Sequence, residues 1–253
     1  MLALVFVATS AKASEFGNSW FTIEPYRLTY FLFGKPDAKV QFSGKMRFVS
    51  SVPVYFGYSQ LTKWELFVAS APFRDVNYNP ELFYRMFFEP PQLVKDGNPT
   101  PPHYLDFGIY SHESNGRAGF ESRSWDKVYF RWVRGWRVGD RAAIIAQMQL
   151  NVPVRLDSGN PDLLWYRGIF EGEVAWVRFL DDTFDESELR FRIFSGGPSH
   201  VNLFAGGQEL TLRLKPRAHT FLPTFVVQVF NGFGENLLDY KQERLAVRVG
   251  LGL

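Results

Sequence analysis

The sequence predicts an all-β protein, an antiparallel β-barrel of about a dozen strands that crosses a membrane. Three observations carry this. Apolar and polar residues alternate with a period of two in segment after segment. Helical periodicity is sustained nowhere. Aromatic residues make up 17% of the 253 residues. Alternation at 180° per residue describes strands with one apolar and one polar face. A soluble sandwich hides the apolar face between two sheets, whereas a membrane barrel turns it toward lipid and adds aromatic residues at both interfaces. Strand number, aromatic load, the absence of cysteine and a signal-like start favour the membrane barrel over the sandwich.

The elements follow in order along the chain. Strands are expected at 26–33, 39–48, 53–60, 62–68, 78–88, 104–113, 124–134, 142–151, 166–180, 188–195, 209–217, 222–233 and 244–253, about a dozen in all. In "KVQFSGKMRF" Val40, Phe42, Met46 and Phe48 share one face, opposite Gln41, Ser43, Lys45 and Arg47. In "ELTLRLKPR" Leu210, Leu212 and Leu214 alternate with Glu209, Thr211, Arg213 and Lys215. "RLAVRVGLGL" sets Leu245, Val247, Val249, Leu251 and Leu253 against Arg244, Ala246 and Arg248. The polar stretches 89–103 and 181–188 read as connections, and His103, His200 and His219 as solvated residues in or near loops.

"MLALVFVATSAKA" at 1–13 reads as the remnant of a signal peptide, an apolar run followed by Ala11-Lys12-Ala13, with the true start upstream. Residues 14–253 then form a single barrel domain, since no repeat or linker divides them. No segment approaches the roughly 18 consecutive apolar residues of a spanning helix, so a place in a membrane means a barrel. The net charge of +2 comes without a basic run, which argues against nucleic acid as a partner. Zero cysteines exclude disulfides, thiol nucleophiles and thiolate metal sites.

One stretch carries chemistry. "SHESNGRAGFESRSWDK" places His112, Ser114 and Asp126 on a single hairpin. A serine hydroxyl becomes a useful nucleophile only when a base takes its proton, and the base needs a third group to fix its tautomer. His112 and Ser114 are two apart, so on a strand they project from one face. If the hairpin turns about Gly119, Asp126 lies directly opposite His112, at the roughly 4.5–5.5 Å of cross-strand neighbours.

"HESNGRAGFESRSWDKVYFR" resembles the active-site segment of the outer-membrane phospholipase A family, His-x-Ser-Asn-Gly-Arg followed by Ser-Arg-Ser-Trp-Asn. "APFRDVNYNPELF" at 71–83 and "FNGFGENLLDY" at 230–240 resemble two further family segments, in the same order, and "GYSQLTKWELF" and "EPYRLTYFL" also align. The resemblance implies a twelve-stranded barrel in the bacterial outer membrane that hydrolyses acyl esters of glycerophospholipids and lysophospholipids (phospholipase A1 and A2 activity). It also implies a calcium requirement and activity as a homodimer. Carried over by motif, Ser114 is the nucleophile, His112 the general base and Asp126 its orienting partner. The backbone amides of Ser114 and Gly116 serve the oxyanion. The carbonyl of Arg117 and the hydroxyl of Ser122 hold Ca2+ together with Ser70 from the other subunit, and Gln60 lies in the dimer interface. The sequence departs from the family at Asp126, where Asn is usual, and at Gly119, where an acidic residue often supports a second calcium site. A passive outer-membrane channel and a catalytically lapsed barrel are the alternatives on the same fold.

Parity along the strands tests the placement. Asp126 shares its face with Val128, Phe130 and Trp132, which is the lipid side. In 104–113, however, His112 has the parity of Asp106 and Gly108, not of Leu105, Phe107 and Ile109. A one-residue β-bulge between Ile109 and Ser111 is therefore expected, to bring His112 and Ser114 onto the lipid side.

Overall fold

The computed structural model describes residues 22–49, 51–89, 101–180, 182–217 and 223–252. The signal-like residues 1–13, His219 and most of the 89–103 connection lie outside these. The described residues form thirteen strand segments: β1 (Thr22–Pro25), β2 (Tyr30–Lys35), β3 (Ala38–Arg47), β4 (Val54–Trp64), β5 (Phe73–Phe87), β6 (His103–Ser114), β7 (Ser124–Val138), β8 (Ala142–Leu156), β9 (Phe170–Val177), β10 (Phe184–Gly196), β11 (Asn202–Pro216), β12 (Thr224–Gly232) and β13 (Arg244–Gly252). Each is antiparallel to its neighbours, and β13 pairs with β2 to close the sheet. β1 and β2 both pair with β3, one after the other, so they are two halves of one interrupted strand. The result is a closed barrel of twelve strands.

Several boundaries differ from the sequence reading. The expected strands 53–60 and 62–68 are one strand, β4, and the chain from 65 to 72 is a loop closed by Glu65 N–H donating to the Pro72 carbonyl. A run of apolar residues in that loop (Leu66, Phe67, Val68) imitated a strand. The 166–180 segment shrinks to β9, because 163–165 is a 3-10 turn that holds the chain up to Gly168. Phe184 to Glu188, read as connection, is the start of β10. His103 is not a solvated loop residue. It begins β6, bonds Arg134 and packs on Phe88 with ring centroids 4.5 Å apart.

The alternation sorts as expected. Phe42, Leu210, Leu245, Val247, Val249 and Leu251 are exposed on the outer wall, while Ser43, Glu209, Thr211 and Arg248 are buried in the lumen. With its apolar side turned to lipid, the barrel has a polar interior, and buried charge there must be paired. Glu81 accepts Arg27 at 3.0 Å, and Asp106 binds Arg85 bidentately at 2.7 and 2.9 Å and Arg131 at 3.4 Å. Lys39 reaches Glu209, and Arg192 reaches Glu171 at 2.8 Å. Voids of about 130 and 40 Å³ remain among these side chains.

One end of the barrel is closed by connecting segments. Trp125, Leu163, Leu164, Leu237 and Tyr240 form a buried apolar cluster there, drawn from β7 and the segments after β8 and β12. Beneath it Glu235 accepts Lys63 at 2.6 Å and Arg248 at 2.7 Å, so the 233–243 loop is fastened to the lumen by charge as well as by packing. Asp239 at its rim binds Arg74 at 2.7 Å and Arg244 at 2.8 Å. Glu235 and Asp239 are thus the structural residues of the C-terminal motif. The 115–123 loop sits at this same end.

Candidate active site

The candidate residues lie at the top of β6 and β7. The expected bulge is present: Gly108 pairs with Tyr129, but Ser111 pairs with Lys127, leaving one extra residue in β6. The β5 side gives the same result, with Phe83 opposite Gly108 and Leu82 opposite Tyr110, which isolates Ile109 as the insertion. Gly108 allows the tight packing below the bulge, since a Cβ there would lie 2.3 Å from the Tyr129 ring. Above the bulge Ser111 and Glu113 turn into the lumen and are buried, and His112 and Ser114 turn out. Glu113 is held inside by Arg167 at 2.6 Å and by the Trp125 indole at 3.0 Å, which fixes the register of the whole strand end.

His112 pairs directly with Asp126. Its Nδ1 lies 2.6 Å from Asp126 Oδ1, a charge-assisted distance. The histidine is 28% exposed and the aspartate 8%, so the pair is partly shielded from solvent yet reachable from the outer wall. Ser114 is half-buried on the same face, at the end of β6. Two further groups complete the carboxylate. The Tyr110 hydroxyl donates to Oδ1 at 3.1 Å, and Arg155 Nε donates to Oδ2 at 2.8 Å.

The loop after Ser114 is built by Asn115. Its side-chain oxygen accepts from the amides of Arg117 and Arg123, at 3.3 and 3.0 Å, and its amide group donates to the Glu121 carbonyl at 2.9 Å. Gly116 has φ +65° with the Tyr78 ring 2.9 Å from where a Cβ would stand, so only glycine fits without strain. Arg117 donates to the Arg74 carbonyl at 2.6 Å and pairs with Glu121. Ser122 Oγ lies 3.4 Å from Asp157 Oδ2. Ser70 is in the 65–72 loop at the same end, with φ +65°. Arg117 and Ser122 share one loop, and the Arg117 contact ties that loop to the start of β5, just beyond Ser70. Oxygen donors of this kind (hydroxyl, carbonyl and the carboxylate of Asp157) suit a hard cation, although the described residues contain no cluster of three or more acidic or histidine ligands.

Gln60 is on the outer wall of β4. It accepts from the Tyr58 hydroxyl at 2.9 Å and reaches Thr62 at 3.4 Å. Tyr110, Arg155 and Asp157 were not singled out in the sequence. The expected bulge could have exposed Tyr110. Arg155 and Asp157 lie past the point at which the eighth strand had been ended, at residue 151.

A closed twelve-stranded barrel with an apolar outer wall is an outer-membrane protein, and this one carries a serine, a histidine and a carboxylate on its lipid side. The phospholipase A1 family model matches residues 24–253. The chain belongs to the phospholipase A1 family. It is 29% identical over 204 residues to a phospholipase A1 of Escherichia coli strain K12, a match covering 78% of this chain and 60% of that protein. To a putative phospholipase A1 of Neisseria meningitidis it is 27% identical over 229 residues, covering 86% and 54%. The chain thus spans little more than half the length of these curated relatives. The outer membrane phospholipase A structure from Escherichia coli superposes with a TM-score of 0.72 at 24% identity, covering 96% of this chain and 94% of that one. A Salmonella typhi outer membrane phospholipase dimer with bound calcium gives 0.70 at 23% identity, covering 92% of each chain.

Proposed function

We propose that this chain is a calcium-dependent phospholipase that hydrolyses acyl esters of membrane phospholipids and lysophospholipids, active as a homodimer. The observation that carries the reading is the 2.6 Å contact between His112 Nδ1 and Asp126 Oδ1 on the outer wall, two positions from Ser114. With Nδ1 held by the carboxylate, the other ring nitrogen is left to accept a proton. Ser114 Oγ attacks the acyl carbonyl as His112 takes its proton. The imidazolium returns that proton to the lysolipid alkoxide as the ester C–O bond breaks. Water, deprotonated by the same imidazole, then attacks the acyl-serine, and the imidazolium returns the proton to Ser114 Oγ as the acyl C–Oγ bond breaks and the fatty acid leaves. The amides of Ser114 and Gly116 are assigned to the carbonyl oxygen as it gains charge.

The Arg117 carbonyl and the Ser122 hydroxyl would hold calcium, with Asp157 beside them and Ser70 contributed by a second copy. When bound, the ion supplies positive charge against the phosphate and the oxyanion. Gln60 supports the dimer. An amide facing lipid is costly unless its hydrogen bonds are made, and beyond Tyr58 its remaining contact is the long one to Thr62. The calcium-bearing dimer among the relatives favours the same assembly. A passive channel fits less well, because the lumen is filled with paired charges and one end is closed by an apolar cluster.

The test is fatty-acid release by the refolded chain in detergent, with calcium, with chelator, and for Ser114→Ala. Release is expected only from the unaltered chain with calcium. Equal release in all three refutes the reading.

A further inference from the structure

Two bulges flank β7. The one in β6 turns His112 outward. The second lies at Val154 in β8, where Lys127 pairs with Pro153 but Asp126 pairs with Arg155. Without that extra residue, Arg155 would continue the lumen-facing row of Gln149, Asn151 and Pro153. With it, Arg155 stands on the outer wall and its Nε reaches Asp126 Oδ2 at 2.8 Å. The two irregularities therefore converge on one carboxylate, which is held on both oxygens: Oδ1 by His112 and Tyr110, Oδ2 by Arg155.

We infer that Arg155 is a positioning residue for the reaction proposed above, acting through Asp126. A carboxylate on a lipid-facing wall is strongly disfavoured unless paired, and one bonded only at Oδ1 is free to rotate its plane away from His112. The guanidinium cancels the charge of Asp126 and fixes that plane, so that Oδ1 stays on Nδ1. The inference rests on the assignment of Ser114 and His112 to the chemistry. It adds that the carboxylate works only as a pair, and that the bulge in β8 exists to deliver the second member.

The experiment uses the refolded full chain in calcium-containing micelles, with Arg155→Gln, Arg155→Lys, Asp126→Asn and the double variant Asp126→Asn/Arg155→Gln. Values of kcat and KM are measured on a diacyl phospholipid and on a phosphate-free p-nitrophenyl acyl ester. Arg155→Gln is expected to lower kcat roughly tenfold on both substrates with KM within about twofold, the size of one charge-assisted hydrogen bond. Arg155→Lys recovers most of that loss. In the Asp126→Asn background, Arg155→Gln costs less than about twofold, because the charge and the second oxygen it acts through are gone. An unaltered kcat in Arg155→Gln overturns the inference. So does a loss confined to the KM of the phospholipid, which would make Arg155 a phosphate contact. Full activity in Ser114→Ala would instead sink the proposed reaction, so the two failures are distinguishable.

Discussion

Replacing Asp126 by alanine removes three hydrogen-bond donors' common acceptor at once: His112 Nδ1 at 2.6 Å, the Tyr110 hydroxyl at 3.1 Å and Arg155 Nε at 2.8 Å. In the proposed reaction only the first bears directly on the proton transfer. A hydrogen bond to a charged group contributes about 1.5–3 kcal/mol, which corresponds to roughly 10- to 150-fold in rate if it is lost only in the transition state. The imidazolium that forms during attack also loses its counter-charge, so the upper part of that range is expected for kcat. KM should change little, because the Asp126 side chain is 8% exposed and has little free surface to offer the lipid. The fold should survive, since the apolar cluster and the Glu113 contacts that set the register of this hairpin are separate from Asp126. The assay is fatty-acid release from mixed micelles, with the folded fraction measured by the gel shift between unheated and heated samples. An Asp126→Ala chain within about twofold of the unaltered one, while Ser114→Ala is inactive, would refute the reasoning.

Three other outcomes are expected. If Ser122 is a ligand of the proposed calcium site, Ser122→Ala should raise the calcium concentration for half-maximal activity by roughly tenfold, read from a calcium titration, because one oxygen donor is lost and Asp157 loses its neighbour. Asp106→Ala should leave Arg85 and Arg131 buried without their carboxylate and cost about 3–5 kcal/mol, seen as a lower denaturant midpoint with the activity of the folded fraction unchanged. Stability should fall in acid through Asp239. Burial raises its affinity for protons, but the Arg74 hydrogen bond and the Arg244 charge outweigh burial and hold its carboxyl below the usual carboxylate range. The stabilisation is then complete above the unfolded carboxylate value, near pH 4, and is lost as pH falls through the lower folded value. Denaturant midpoints measured across that window should flatten in Asp239→Asn; an unchanged acid slope would exclude this cause.

Much of the site was legible because strands make sequence spacing into geometry. The two-residue separation of His112 and Ser114, and the equal distances of His112 and Asp126 from Gly119, fixed who could touch whom before any tertiary packing. The conflict of parity between Asp106 and His112 even placed a bulge between Ile109 and Ser111, and the ladder with β5 puts it at Ile109. Other features resisted. The 65–72 loop imitated a strand because Leu66, Phe67 and Val68 form an apolar run, yet Phe67 and Val68 stand exposed in a turn rather than in a ladder. The first strand is broken in two because Tyr26 and Arg27 leave the ladder for the lumen, where Arg131 and Glu81 await them. Such partners are more than fifty residues away in the chain, and no local pattern announces them.

Alternation by itself determined strands with one apolar and one polar face, strand number and aromatic load pointed from those to a barrel, and the hairpin spacing set Asp126 opposite His112. Closure decided the rest. The facing of Arg155 depends on a single extra residue in β8, and whether that residue is inserted or absorbed is settled by the ladder with β7 and by Leu156 packing inward on the apolar cluster. The pairing of the lumen charges was likewise decided only when distant strands were brought around the barrel. Period-two patterns specify a face only while the ladder is regular. Where a bulge breaks it, the tertiary contacts on either side choose the register.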